Sequence, residues 1–425
     1  MEFRTKKLIT LASVLFLLIV ASPAWSADLG DISELEAFLD GMFAMQMQEY
    51  QVPGIAVAVI QGDQVLLSKG YGFANLEQSH PMDPETTLHR TGSNSKILVW
   101  TAVLQLVEQG KLDLYTDITE YLDFPIPTKT ADGREVLPIT LHHLMTHTAG
   151  LEEVVTQLLV TKPEAMQPLG QYLLENLPSR VFPPGSVLSY SNYGTALAAY
   201  IVECVSGRSF ADYVKEHILD PLEMNRSTFT QPVPPELASF MSKGYYYKGG
   251  RYIPAEFEYI QAYPAGALTS TVGDMTNLIR ALLHLGVFGE QRILSEATAR
   301  LMQEQQFTSH PELPGVTYGL LEANYNGHRV LSHGGDTFFF HTGLYFLPEK
   351  QVGLYVVYNS ADSVLARWSF FQSFMDRYFP AQDGGVKPSP IASGSENSYL
   401  GVFHHARSNF AKADAWISFL QGITL

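Results

Sequence analysis

Ser93 and Lys96 stand three residues apart where a loop gives way to a long apolar-periodic run, and that pairing can make a nucleophile. On a helix, residues three apart share a face about one turn apart, so the lysine nitrogen can reach the serine hydroxyl. A serine hydroxyl attacks poorly until a nearby base takes its proton, and a desolvated lysine can be tuned to that task. The run continues through Ile97, Leu98, Val99, Ala102, Val103, Leu104, Leu106 and Val107, which predicts a buried helix entered at Ser93. Its N-terminus would bring unpaired N–H groups and the positive end of the helix dipole to that hydroxyl. The competing reading is that Ser93 only caps the helix, since serine is a preferred N-cap.

Two more short stretches fall in order behind the pair. After the turn Phe182-Pro183-Pro184-Gly185, the run Leu188-Ser189-Tyr190-Ser191-Asn192-Tyr193 leads into a second apolar helix expected over about Thr195 to Val205, with Tyr190 and Asn192 at its entrance. Late in the chain, Val330-Leu331-Ser332 reads as a strand end running into His333-Gly334-Gly335-Asp336, whose glycines permit close approach of another backbone or a ligand. Each stretch alone fits a helix entry or a turn. Together they place a hydroxyl, an amine, a phenol, an amide and an imidazole where a fold could gather them.

This set resembles the serine β-lactamase and penicillin-binding group, and within it the class C β-lactamase-like serine hydrolases. The group's pattern is S-x-x-K, then S-D-N, then K-T-G; here it reads Ser93-Asn94-Ser95-Lys96, Tyr190-Ser191-Asn192 and His333-Gly334-Gly335. Further stretches look like the family: Val52-Pro53-Gly54-Ile55-Ala56-Val57-Ala58-Val59, Lys69-Gly70-Tyr71-Gly72, Leu144-Met145-Thr146-His147-Thr148-Ala149-Gly150-Leu151 and Pro264-Ala265-Gly266-Ala267-Leu268. The resemblance spans residues 40 to 380 and implies an acyl-enzyme on Ser93, with Lys96 moving its proton. It implies that Tyr190 is a second base or proton relay, which needs a cation beside the phenol because its ordinary pKa is about 10. Asn192 would hydrogen-bond Lys96 and the substrate, and the backbone N–H groups of Ser93 and Asp336 would form the oxyanion hole. No cofactor is implied, and the substrate would be a small molecule or peptide, cell-wall-derived molecules among the candidates.

The third stretch departs from the pattern. A lysine there is cationic near neutral pH and attracts a carboxylate, whereas His333, with an ordinary pKa of about 6.5, is largely neutral. That favours an ester, amide or peptide substrate over β-lactams and D-Ala-D-Ala peptides, which remain alternatives beside a non-catalytic peptide or β-lactam sensor. His341-Thr342-Gly343 also matches His-x-Gly, inside the next strand pattern. His143 and His147 have the spacing of a helical zinc pair but lack the glutamate of H-E-x-x-H, so no metal site is expected.

Elements able to position these residues are legible. Strand-like runs Ile55 to Ile60 and Gln64 to Lys69 open the domain; others near Tyr318 to Leu321, Val330 to Ser332, Leu344 to Leu347 and Val352 to Tyr358 close it, the last two turning at Pro348-Glu349-Lys350. These predict an α/β fold in which one antiparallel sheet is built from both ends of the chain and flanked by helices, with a mainly helical lobe inserted between. A cleft at that junction would gather the three stretches.

The 425 residues are 46% hydrophobic and 16% charged, enough for a large core, and the net charge of −16 argues against nucleic-acid binding. Arg4, Lys6 and Lys7, the apolar run Leu8 to Val20 and Ser22-Pro23-Ala24-Trp25-Ser26-Ala27 read as a signal peptide over residues 1–26, hence a periplasmic or secreted enzyme. The hydrolase domain then covers 28–380, a Gly/Ser/Pro-rich linker 381–398, and a partial C-terminal module or docking tail 399–425. Membrane association is expected only through a further C-terminal module. The single Cys204, in the apolar run Leu197 to Val205, is expected to be a small buried hydrophobe.

Overall fold

Period-two alternation in the strand at Gly54–Gln61 sorts its side chains onto two different cores. Ile55, Val57 and Val59 pack on one side of the sheet and Ala56, Ala58 and Ile60 on the other, each buried. The computed structural model describes residues 27–154, 158–381, 402–403, 405–408, 410 and 423–424. The expected signal peptide and nearly all of the expected linker lie outside the described residues, as does much of the expected tail.

The first helix among the described residues is α1 (Ile32–Glu49), started by the Asp31 carboxylate, which accepts the Glu34 N–H at 3.1 Å. Seven strands follow in two groups: β1 (Gly54–Gln61), β2 (Gln64–Asn75) and β3 (His80–Pro81), then β4 (Leu321–Tyr325), β5 (His328–Asp336), β6 (His341–Leu347) and β7 (Val352–Tyr358). They form one sheet in the order β4-β5-β6-β7-β1-β2-β3, with every neighbouring pair antiparallel. The two ends of the chain are joined at β1 and β7, where Val57 pairs with Val356. The closing helix α5 (Val364–Tyr378) packs with α1 on one face through Phe43, Phe370, Phe371 and Phe374.

The other face carries α2 (Lys96–Glu108), α3 (Asn192–Ser206) and α4 (Val272–Leu283) from the inserted region. Every residue of α2 from Lys96 to Leu106 is buried, Trp100 among them, so α2 runs through the core between sheet and insert. Burying such side chains contributes about 1.5–3 kcal/mol each. The insert is mainly helical, as expected, and also holds two-residue strand pairs and the hairpin Tyr245–Lys248 with Arg251–Pro254.

Three expectations are corrected. The strand expected over Tyr318 to Leu321 starts only at Leu321, because Gly319 takes a left-handed φ of 97° and the chain bends there. The second helix begins at Asn192, ahead of Thr195, because the Ser191 hydroxyl accepts the Gly194 N–H at 2.9 Å and caps it there. Cys204 is exposed, because it falls on the outward side of α3 while Ala198, Ile201 and Val202 face the core.

Candidate active site

Ser93 sits in a 3-10 turn, Gly92–Ser95, that feeds α2, so the hydroxyl precedes the helix and does not cap it. Buried hydrogen bonds hold this turn. Ser95 Oγ donates to Gly92 O at 2.6 Å and accepts the Leu268 N–H at 3.0 Å. Thr342, on β6, donates its hydroxyl to Thr91 O at 2.8 Å and accepts from Asn94 Nδ2 at 2.8 Å. The turn is thereby fixed against the sheet from both sides.

One turn along, Lys96 is fully buried and its Nζ has three acceptors: Ser93 Oγ at 3.0 Å, Asn192 Oδ1 at 2.8 Å and Ala265 O at 2.6 Å. Burial drives its pKa well below the usual lysine value, Arg407 adding to the effect and Glu153 opposing it. A neutral amine has two N–H bonds to give. In the neutral form, with Asn192 and Ala265 accepting both, the lone pair would be left for the Ser93 proton.

Tyr190 reaches the same hydroxyl from the other lobe and is hydrogen-bonded to Ser93, with Lys96 Nζ 4.9 Å from its ring centre. Burial raises its pKa above the ordinary phenol value, partly countered by Ser93 and Arg407, so it stands as a neutral phenol at physiological pH. His147 positions it. That ring lies 4.3 Å from the Tyr190 ring, centre to centre, Nδ1 accepts the Ser191 N–H at 3.3 Å, and His147 O accepts the Ser189 N–H at 2.8 Å. Sequence reasoning weighed His147 only as a metal ligand. Its partner there, His143, is occupied at the N-cap of its own short helix, where Nδ1 accepts the Thr140 N–H at 3.1 Å. Among the described residues no cluster of three or more His, Cys, Asp or Glu side chains is placed to hold a metal ion.

The third stretch closes the site along β5. His333 is buried and its pKa is lowered to about 4 by burial and by the nearby Lys96, so its imidazole is neutral. β4 pairs with β5 only as far as Ser332, which leaves 333–336 with an open edge. Thr337 N donates to Phe340 O, and the alternation of antiparallel ladder bonds then turns the Asp336 N–H away from β6, toward Gly92. Gly92 has a φ of 56°, and a methyl there would lie 2.5 Å from that amide nitrogen. The Asp336 amide therefore lies against the turn that carries Ser93. The Asp336 carboxylate is taken by Arg367 Nη1 at 2.8 Å and His341 Nδ1 at 2.7 Å, which gives His341 a structural partner.

Ser93, Tyr190, Asn192, His333, Gly334 and Asp336 line one cavity of about 560 Å³, with Leu158, Leu159, Ile260, Phe338 and Trp368 as apolar wall. Gly335 lies behind it, where a side chain would strike Thr91 O. Sequence reasoning missed Arg407 on the cavity wall and Glu153 buried behind it. Both lie in segments without periodicity, and only a cation adjoining a phenol could have signalled them.

A serine, a low-pKa amine and a phenol meet around one hydroxyl, an arrangement that fits a serine hydrolase. The family model described as Beta-lactamase matches residues 39–367, and the chain belongs to that family. Among curated proteins it is similar to the putative penicillin-binding protein PbpX of Bacillus subtilis, at 27% identity over 67% of this chain and 66% of PbpX. It is also similar to esterase EstB of Burkholderia gladioli, at 33% identity over 49% of this chain and 55% of EstB, and to protein flp of Staphylococcus aureus, at 26% over 45% and 38%. The matched region thus spans between 38% and 66% of those relatives. Among solved structures, the octameric penicillin-binding protein homologue from Pyrococcus abyssi aligns with a TM-score of 0.66 at 27% identity, covering 82% of this chain and 79% of that one. EstCE1, a hydrolase with promiscuous acyltransferase activity, aligns with a TM-score of 0.66 at 23% identity, covering 82% and 99%, and supports the fold.

Proposed function

We propose that this protein is an exported serine hydrolase that cleaves an ester, amide or peptide through an acyl-enzyme on Ser93, esters being the favoured class. The observation that carries the reading is Lys96 Nζ at 3.0 Å from Ser93 Oγ with its other two acceptors satisfied. Lys96 takes the Ser93 proton as the oxygen attacks the carbonyl, and the N–H groups of Ser93 and Asp336 receive the charge on the carbonyl oxygen. Tyr190, a neutral phenol on the same hydroxyl, passes a proton to the leaving group. Water then follows the reverse route to release the acid.

Support for esters over carboxylate-bearing β-lactams comes from His333, which is neutral where a lysine would carry charge, and from the apolar wall of the cavity. The similarity to esterase EstB agrees with this choice. Export rests on the residue pattern of 1–26 alone.

Turnover of p-nitrophenyl butyrate by the purified protein tests the reading. Wild type should hydrolyse it and be labelled by a fluorophosphonate. Ser93→Ala should lose both, with at least a ~10³-fold fall in kcat. Undiminished turnover in that variant would refute it.

A further inference from the structure

The cavity that holds Ser93 is rimmed by apolar side chains that water still reaches. Phe338, Trp368 and Leu321 all line it, and they are 64%, 50% and 42% exposed. The insert adds Leu158, Leu159 and Ile260 to the same wall. A single exposed apolar side chain needs no explanation, whereas several around one cavity mark a groove for an apolar ligand.

The backbone fixes both aromatic positions. The Phe338 N–H donates to Glu258 Oε1 at 2.7 Å, and its turn is closed by the Thr337 N–H on Phe340 O at 3.0 Å and the Phe340 N–H on Thr337 Oγ1 at 3.1 Å. Trp368 follows Arg367, whose Nη1 donates to Thr342 O at 2.9 Å and Asp336 Oδ1 at 2.8 Å. The first turn of α5 is thereby tied to β5 and β6, beside the cavity. Apolar surface held wet in this way gains free energy when a ligand covers it.

The two sides of the cavity differ in origin. Tyr190, which serves the leaving group in the reading above, enters from the insert, whereas Phe338 lies in the turn from β5 to β6 and Trp368 on α5. A carbonyl on Ser93 with its leaving group toward Tyr190 directs its acyl chain to the sheet side, toward the two rings.

We propose that Phe338 and Trp368 are specificity-determining residues that grip the acyl chain, so that the substrates are esters of medium-chain apolar acids. The inference rests on the reading of Ser93 as nucleophile and adds which esters it serves. An uncharged chain also suits a cavity whose His333 is neutral.

The test measures kcat/KM of the full chain on p-nitrophenyl acetate, butyrate and octanoate, each kept below its micelle concentration. Each methylene buried against the rings is worth roughly three- to fourfold, so wild type should favour octanoate over acetate by about tenfold or more. Phe338→Ala and Trp368→Ala should each cut that octanoate-to-acetate ratio about fivefold or more, and Trp368→Phe should keep part of it. A role confined to holding the fold would lower all three esters alike and leave the ratio unmoved; thermal melting establishes that each variant is folded. Octyl acetate against ethyl acetate examines the opposite orientation. A flat ratio in wild type, a ratio that both alanine variants leave unchanged, a gain seen only above the micelle concentration, or a gain confined to chains on the alcohol side would overturn the proposal. Any of these with Ser93-dependent turnover sinks this inference alone; wild type inert toward every ester sinks the nucleophile reading and this one with it.

Discussion

At the scale of single residues, the chemistry turns on where one proton can rest. Lys96 is desolvated and its N–H bonds are spoken for, so it is a base when neutral and useless when protonated. Since its pKa is depressed, the acid limb of kcat/KM should fall well below the ordinary lysine range, with activity lost as pH falls through that value. A pH–rate profile measures it, and a limb near 10.5 would contradict the account. Lys96→Arg keeps a cation that cannot act as base and should lower kcat by about 10²–10⁴-fold. The contact of Ser93 with Lys96 was legible because the two stand at a spacing that implies it whatever the tertiary fold. His147, Glu153 and Arg407 were not legible, because each meets Tyr190 or Lys96 only through long-range packing that leaves no local period.

At the scale of elements, the site is the meeting of one turn, one helix entrance and one strand edge. Gly92 and Gly335 let the turn and β5 touch backbone to backbone. Gly92→Ala would both strain a positive φ and push against the Asp336 amide, so it should cut kcat/KM at least about tenfold by displacing an oxyanion donor. Steady-state rates on a variant that still melts cooperatively would check it; unaltered rates would remove Asp336 from the oxyanion hole. Trp100, fully buried on α2, bears on stability instead, and Trp100→Ala should cost about 3–5 kcal/mol in denaturant unfolding. Long strands and helices were legible because β1 is a short bounded apolar run and α2 repeats apolar residues at helical spacing. The 3-10 turn, the early cap at Ser191 and the late start of β4 were not, since each depends on a single hydrogen bond or a left-handed residue.

At the scale of the whole molecule, strands from both ends of the chain make one sheet, and the intervening segment supplies the opposite wall of the cleft. That arrangement was legible from the two groups of strand-like runs, while the insert's two-residue strand pairs, whose partners lie far apart in sequence, were hidden. Sheet and insert meet around His89, which is buried, contacts Tyr355 OH at 2.9 Å, and has its pKa lowered to about 3 by burial. Its folded pKa lies below the unfolded value, so the unfolded chain binds more protons in between. The stability this residue contributes is present above about pH 6.5 and is lost as pH falls toward about 3, by at most about 1.4 kcal/mol per pH unit. Melting temperatures across that window should fall less steeply for His89→Gln than for wild type, and parallel curves would contradict it.

The most direct measurement is mass spectrometry of the protein quenched in acid during turnover of a slowly deacylated ester. The account predicts a mass increase equal to the acyl group, carried on the peptide containing Ser93, and its disappearance in Ser93→Ala. An adduct on another residue, or steady turnover with no acyl-protein at any time after mixing, would contradict it.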